Sequence, residues 1–158
     1  MTMNNKALHP HDDDLTPFVV ADVYGNRRIG YLNKDQKVCI PPIYYTRVNF
    51  PENKTLFNHD TNFKNHLAVV MNVAGKFGII STDGNVVIEL KYDALSNVIA
   101  NDIVFFRDGA TCGFMKLNGS VILQYPNCTA IQLKKETLYI IEYDDGKKKA
   151  EVDLSLIK

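Results

Sequence analysis

The sequence predicts an all-β fold made of tandem short antiparallel β-hairpin repeats. A motif recurs along the chain, turn signals return about every 8–12 residues, and β-branched residues are frequent in short apolar runs. The motif is a glycine inside an apolar run, at Gly30, Gly78 and Gly113, and a second apolar run follows each glycine at one fixed distance. No stretch shows apolar residues at helical spacing over a sufficient length.

Each repeat is predicted to contain four short strands. The first is apolar and occurs four times, at Phe18 to Asp22, Leu67 to Val73, Ile103 to Arg107 and Leu138 to Tyr143. A turn with glycine follows, and pairs such as Asp108-Gly109 favour type I′ hairpins, which need positive φ at both central residues. The second strand carries the motif glycine and the third begins at Val38, Val86 or Val121. A break at Pro41-Pro42, Tyr92-Asp93 or Pro126-Asn127 is expected to precede the fourth.

These strands give about three and a half four-stranded units. A polar tail covers residues 1–17, and a single β-repeat domain covers 18–158, with units at 18–66, 67–101, 102–136 and 137–158. Gly30 and Gly78 are 48 residues apart, whereas Gly78 and Gly113 are 35 apart, so the first unit holds an insertion, residues 51–66. The units are expected to form a twisted sheet or solenoid, or a barrel-like stack.

The three motif glycines are predicted to be structural. A glycine within a strand usually marks a bulge or a close backbone approach. We expect a bulky side chain of the neighbouring unit to pack over each of them.

Composition excludes several classes of function. Eighteen basic and eighteen acidic residues give a formal net charge of zero, which argues against a nucleic-acid binder. The apolar runs are much shorter than the roughly 20 residues that span a bilayer, and the polar N-terminus does not resemble a secretory signal, so no membrane association is expected. Three cysteines without a CxxC spacing predict a cytoplasmic protein with free thiols. Cys39 and Cys112 align with apolar positions and are expected in the core, with Cys128 more exposed.

No catalytic signature is present in the sequence. It contains no GxSxG, HExxH, GxGxxG or P-loop pattern, and the four histidines lie outside the repeated scaffold. We therefore expect no catalytic residues, no metal and no cofactor. An enzyme whose site is assembled in space from distant carboxylates stays an alternative.

Aromatic residues indicate a surface that binds a protein. Tyrosine combines apolar area with a hydrogen-bonding tip, which suits interfaces. The predicted partner-binding residues lie in or near the insertion: Tyr44, Tyr45, Phe57, His59, Asp60 and Phe63. The phenylalanines of the insertion are expected either to cover their own scaffold or to contact the partner.

The repeat resembles the WG repeat family. Phe77-Gly78-Ile79-Ile80, Asp83-Gly84, Val86-Val87-Ile88 and Tyr92-Asp93 follow its pattern, and the likeness extends roughly from Phe18 to Val152. The chain has no tryptophan, and Ile29, Phe77 and Cys112 occupy the place of the family's tryptophan, so it resembles a degenerate member.

The resemblance implies protein contacts without shared catalytic residues. Small members are similar to immunity proteins, so we expect a module that neutralises a cognate bacterial toxin by covering its active site. A structural or scaffolding module that binds a cell-envelope or other protein is the alternative.

Overall fold

A computed structural model describes residues 15–45, 62–96, 102–135, 138–143 and 149–156, and these residues are nearly all strand. The strands are β1 (Thr16–Ala21), β2 (Arg27–Leu32), β3 (Val38–Tyr45), β4 (Leu67–Met71), β5 (Phe77–Ser81), β6 (Val86–Tyr92), β7 (Ala94–Leu95), β8 (Ile103–Asp108), β9 (Thr111–Lys116), β10 (Val121–Pro126), β11 (Cys128–Lys135), β12 (Leu138–Tyr143) and β13 (Lys149–Asp153). One turn of 3₁₀ helix, Leu154–Leu156, follows. The prediction of an all-β fold is confirmed.

The strands form three sheets, whose pairs are antiparallel wherever a register is defined. Strands β1 to β6 lie in chain order in a six-stranded sheet, β10-β9-β8-β7 form a second sheet, and β11-β12-β13 form a third. The chain divides into two compact units. In its described part, the first unit contains β1 to β5 and β6 as far as Leu90, and the second contains β7 to β13.

The fourth strand of a repeat pairs with the repeat that follows it. Strand β4 lies between β3 and β5, β8 lies between β7 and β9, and β12 lies between β11 and β13. Each of these first strands is therefore flanked on one side by its own hairpin and on the other by the end of the preceding repeat. The end of one repeat is therefore joined to the first strand of the next by backbone hydrogen bonds.

Two of the three predicted breaks before the fourth strand are present. A single residue, Asp93, separates the end of β6 from β7, and a single residue, Asn127, separates the end of β10 from β11. The break at Pro41-Pro42 is wrong, because β3 runs through both prolines. Ile29 faces Tyr44 and Tyr31 faces Ile40, so residues 41–43 form a bulge opposite Gly30 alone. Proline is tolerated there because a bulge interrupts the ladder that would need its N–H.

Five hairpin loops share one geometry. In loops 22–26, 33–37, 72–76, 81–85 and 116–120, the first N–H donates to the fifth carbonyl and the fourth N–H donates to the first carbonyl. Positive φ is confined to the fourth residue, which is glycine except at Gln36 (φ 64°). The predicted type I′ turns are therefore wrong here, because three central residues form a type I turn followed by a left-handed residue. Loop 108–111 has two central residues, and positive φ is found at the first of them, Gly109.

The motif glycines permit a close approach of backbones within one repeat. A Cβ on Gly78 would lie 2.5 Å from the carbonyl oxygen of Ile88 and 2.7 Å from Cγ of Leu90. A Cβ on Gly30 would meet the carbonyl of Ile40 and the Phe18 ring in the same way. A Cβ on Gly113 would meet the carbonyl of Leu123 and the Phe106 ring. The covering side chain belongs to the same repeat, so the expectation that a neighbouring unit supplies it is wrong. The strands of one hairpin approach too closely for any other residue.

Each unit has its own apolar core between repeats. We call the side of a hairpin that carries the motif glycine its glycine face, and the other side its front face. In the first unit, the front face of the first repeat, with Ile29 and Tyr31, packs on the glycine face of the second, with Ala68, Val70 and Ile80. In the second unit, the front face of the third repeat packs on the last strands, and this core contains Phe105, Cys112, Phe114, Ile131, Tyr139 and Ile141. The repeats therefore stack face to face.

Replacing Gly78 by alanine should destabilise the protein by about 1–3 kcal/mol, because the methyl group has no space beside the Ile88 carbonyl. The matched control is Ser81→Ala in the same strand. The Ser81 hydroxyl is buried and has no hydrogen-bond partner among the described residues, so its removal should change stability by less than about 0.5 kcal/mol. Urea unfolding of both variants measures the difference, and equal effects would contradict the close-approach explanation.

Candidate protein-binding surface

Only one of the predicted partner-binding residues lies on the described surface. Tyr44 is 9% exposed and Phe63 is 6% exposed, and both belong to the core of the first unit. The Phe63 ring packs edge-on against Tyr31, with ring centroids 4.7 Å apart. Phe63, at the end of the insertion, therefore covers its own scaffold, which is one of the two alternatives expected for the insertion's phenylalanines. Tyr44 is buried instead of lying on the surface. Tyr45 is half-buried beside Arg28, and Phe57, His59 and Asp60 lie outside the described residues.

The glycine face of the first repeat is apolar and open. In register across the strands, Thr16 lies opposite Leu32, and Leu32 lies opposite Val38. Phe18 lies opposite Gly30, and Val20 lies on the same side. Val20 is 45% and Val38 is 56% exposed, Thr16 is exposed, and Phe18 and Leu32 are half-buried. We call Thr16, Phe18, Val20, Leu32 and Val38 the end face. Tyr45 borders it, opposite Arg28.

Three of the five end-face positions are buried in later repeats. The repeats are aligned here on their motif glycines. Thr16 then corresponds to Ala68 and Val104, Phe18 to Val70 and Phe106, and Leu32 to Ile80 and Met115. Each of those six residues is at most 4% exposed. Terminal repeats normally present a polar outer face. The first repeat instead keeps Phe18 and Leu32 at positions that an interior repeat would bury.

The last described repeat has a more polar outer side. Residues Leu138 and Ile140 point away from the core that contains Tyr139 and Ile141, and they lie opposite Asp153 and Glu151. Glu151 also accepts a hydrogen bond from Lys134 at 2.9 Å. Carboxylates thus accompany the aliphatic residues here, whereas none is among the five residues of the end face.

An ion pair lies next to the end face. Arg28 and Asp22 approach to 3.7 Å. Burial acts to raise the pKa of Asp22, but backbone hydrogen bonds from Asn26 and Tyr24, a bond from the Asn26 side chain and the charge of Arg28 outweigh it and hold that pKa below its usual value. The Asp22 carboxylate therefore supports its own hairpin loop.

Other polar side chains also hold the backbone. Asp93 accepts a hydrogen bond from the N–H of Gly109 at 2.6 Å, and the Ser96 hydroxyl, which is buried, accepts one from the N–H of Phe105 at 2.8 Å. Across the described ranges, no group of three or more His, Cys, Asp and Glu could hold a metal ion. Within the same ranges, no helix has the length and apolar character to cross a membrane.

Cys112 lies in the core as expected, but its bonding and the burial of Cys39 and Cys128 differ from the expectation. Cys112 and Cys128 form a disulfide in the core of the second unit, so they are not free thiols, and Cys128 is buried rather than exposed. Cys39 is a free cysteine and is exposed rather than packed. It is the extra residue of a bulge, because Tyr31 faces Ile40 and Leu32 faces Val38. The alignment of Cys39 with apolar positions could not reveal this bulge.

A comparison with protein families supports the repeat interpretation. The model of the WG containing repeat matches residues 77–111. This segment runs from Phe77 to the residue before Cys112, which is one full period of the motif. No curated protein matches the chain significantly. The match makes the segment similar to a WG repeat.

Sequence reasoning missed the end face. Its exposure depends on which strands pack on that side, and no single residue reveals this. The available signal was the first strand, Pro17-Phe18-Val19-Val20, which is as apolar as the interior first strands although it belongs to the first repeat.

Removing the disulfide should lower the free energy of unfolding. Its cysteines are 16 positions apart, and cross-links of this span contribute about 2–4 kcal/mol. We expect that loss for Cys112→Ala combined with Cys128→Ala, and less than about 0.5 kcal/mol for Cys39→Ala. A thiol reagent should label one cysteine per denatured, unreduced chain, and labelling of three would rule the disulfide out.

Alkaline titration should report the burial of Tyr44. Burial raises the pKa of its phenol above the ordinary value of 10.0. The folded state therefore favours the neutral phenol, so this contribution to stability is complete below about pH 10 and is lost as the pH rises. In urea unfolding between about pH 8 and 11, Tyr44→Phe should lose stability less steeply than the natural chain. Identical slopes for the variant and the natural chain would refute the assignment.

Proposed function

We propose that this protein is a non-catalytic protein-binding module. The observation that carries the proposal is the end face. Val20 and Val38 are exposed there, and Phe18 and Leu32 are only half-buried, although the counterparts of Phe18 and Leu32 in the second and third repeats are buried. Exposed apolar patches on soluble proteins commonly mark interaction sites. The similarity of residues 77–111 to the WG containing repeat agrees with a binding role.

The side chains near the end face support binding rather than catalysis. Asp22 is engaged by its own loop and by Arg28. The end face offers aliphatic and aromatic area with Tyr45 and Arg28 at its border, and Tyr and Arg are enriched in the central contacts of interfaces. A stable complex would bury about 1,200–2,000 Å² in total.

The more specific proposal is an immunity protein that acts in the cytoplasm. It would bind a cognate bacterial toxin and cover its active site, without any chemical step. The resemblance to small repeat proteins of this type supports it, and the net charge of zero gives no preference for a strongly basic toxin. The cytoplasmic location stays a prediction.

A scaffold that binds a cell-envelope protein is the second candidate. The buried disulfide favours it, because disulfides are typical of oxidising compartments and rare in the cytosol. Both candidates use the same kind of surface and differ in compartment and partner. Locating the natural protein in cell fractions, with its thiols blocked before lysis, would separate them.

Substitution on the end face tests the binding role. The product of the neighbouring gene, produced together with this chain, should form a stoichiometric complex with it. Val20→Lys should weaken that complex by at least about tenfold, or ~1.4 kcal/mol, because a charge replaces buried apolar area. Val121→Lys, at a valine 49% exposed in β10, should leave the affinity unchanged. Calorimetric titration measures both.

The outcome separates the proposals. Neutralisation of the neighbour's toxicity by the natural chain supports an immunity protein, and a complex without neutralisation supports the scaffold. Equal affinities of the two lysine variants would show that the end face is not the binding surface. A turnover that one Asp or Glu substitution abolishes would identify an enzyme.

A further inference from the structure

We propose that the outer edge of β1 binds an extended segment of a partner protein as an added strand. The inference rests on the proposed binding function and names its contact surface. Strand addition at a sheet edge is a common mode of peptide recognition, in which backbone hydrogen bonds give affinity and side-chain contacts give specificity.

The fold shows what belongs on this edge. Three first strands, β4, β8 and β12, have a strand on the side away from their own hairpin partner, namely β3, β7 and β11. Strand β1 is the first strand of the first repeat and ends its sheet, with no such neighbour among the described strands. An extended segment therefore occupies the corresponding edge in all three later cases.

The pair formed by β7 and β8 supplies the detailed geometry. Leu95 lies opposite Phe106. The N–H of Asp93 donates to the carbonyl of Arg107 at 2.8 Å, and the N–H of Ser96 donates to the carbonyl of Phe105 at 2.9 Å. The incoming segment thus supplies two N–H donors three residues apart.

Strand β1 offers the same two acceptors. Phe18 and Phe106 both face a motif glycine, so Pro17 corresponds to Phe105, and Val19 corresponds to Arg107. A proline keeps its carbonyl, so both acceptors are retained. The contact that proline loses is the donation from its own N–H, which in Phe105 goes to the Ser96 hydroxyl. The edge of β1 can therefore accept hydrogen bonds from two N–H groups of the partner. The partner needs no hydroxyl like that of Ser96, because Pro17 has no N–H to donate.

Side chains define the partner segment further. Tyr92 directly precedes the donor Asp93, and Leu95 directly precedes the donor Ser96. The ring centroids of Tyr92 and Phe106 are 5.5 Å apart. Phe106 is 4% exposed under this cover, whereas its counterpart Phe18 is half-buried. The occupant should therefore carry an aromatic residue and an aliphatic residue three positions apart, each just before a donor.

Pro17 favours a partner over a second copy of this chain. Two antiparallel β1 strands would have to exchange N–H donors, and Pro17 supplies none on this edge. A partner segment with its own donors does not meet this obstacle. The proline thus selects against self-pairing and retains the acceptors for a different strand.

A peptide titration tests the proposal with the full chain. The probe is a capped peptide with the sequence of residues 91–96, Lys-Tyr-Asp-Ala-Leu-Ser, which covers β8 in the fold. It should shift the backbone amide resonances of Phe18, Val19 and Val20. The matched control peptide has N-methyl groups at the Asp and second-donor Ser positions, which removes both donors and keeps every side chain. It should bind at least about tenfold more weakly, since two hydrogen bonds are lost.

A protein variant tests the side-chain contact. Phe18→Ala should reduce affinity for the peptide at least about tenfold, and Val121→Lys should not change it. Since Phe18 also covers Gly30, thermal unfolding checks the variant's fold. If the variant does not fold, a peptide with Ser at the Tyr and Leu positions tests the same contact on the natural chain.

Every other outcome overturns the inference. Absence of shifts, shifts located elsewhere, or equal binding of the N-methylated peptide would each show that this edge does not receive a partner strand. Sedimentation of the free chain then tests one other occupant: a dimer mass indicates a second copy, and a monomer mass excludes it. A complex that forms in the lysine-variant experiment without peptide binding would leave the proposed function intact and reject only strand addition.

Discussion

The close approach between the motif glycine and the third strand is the constraint on which the rest of the structure depends. At Gly30, Gly78 and Gly113, a neighbouring carbonyl occupies the space of a Cβ. A large side chain of the same repeat then lies over the glycine, so each hairpin is apolar on its glycine face. The front face is apolar as well, since Ile29, Tyr31 and their equivalents are buried. A hairpin that is apolar on both faces must stack on others, and the stacking produces the repeat.

The first and the last described repeats expose different side chains. In the last described repeat, carboxylates lie opposite the outward aliphatic residues. In the first repeat, Phe18 and Leu32 have the character of interior residues without the interior cover. An apolar end that needed only solubility would gain from polar substitutions at these positions. Their retention is physically reasonable where another molecule supplies the missing cover, and this links the fold to a binding role.

Local signals predicted the fold well, and tertiary contacts decided the rest. The hairpins were predictable because their glycines and turn residues act within a few positions of each other. The burial of Tyr44 and Phe63 was not, because it depends on which repeat packs over them. The same holds for the Cys112–Cys128 pair, since β10 intervenes between the two cysteines along the chain and only the packing of β9 near β11 joins them. The Pro41-Pro42 break failed because a bulge absorbed both prolines without ending the strand.

Pro17 shows how one residue can reconcile an open edge with a soluble chain. An edge strand with exposed valines would ordinarily invite pairing with identical edges. On β1 the proline removes one donor from the open side and leaves two carbonyl acceptors, at Pro17 and Val19, by correspondence with the covered strand β8. Pairing between two β1 strands can use the N–H of Val19 but none from Pro17, whereas a foreign strand can donate to both carbonyls. The edge is therefore asymmetric in its hydrogen bonding, and this asymmetry favours a different molecule over another copy of the same chain.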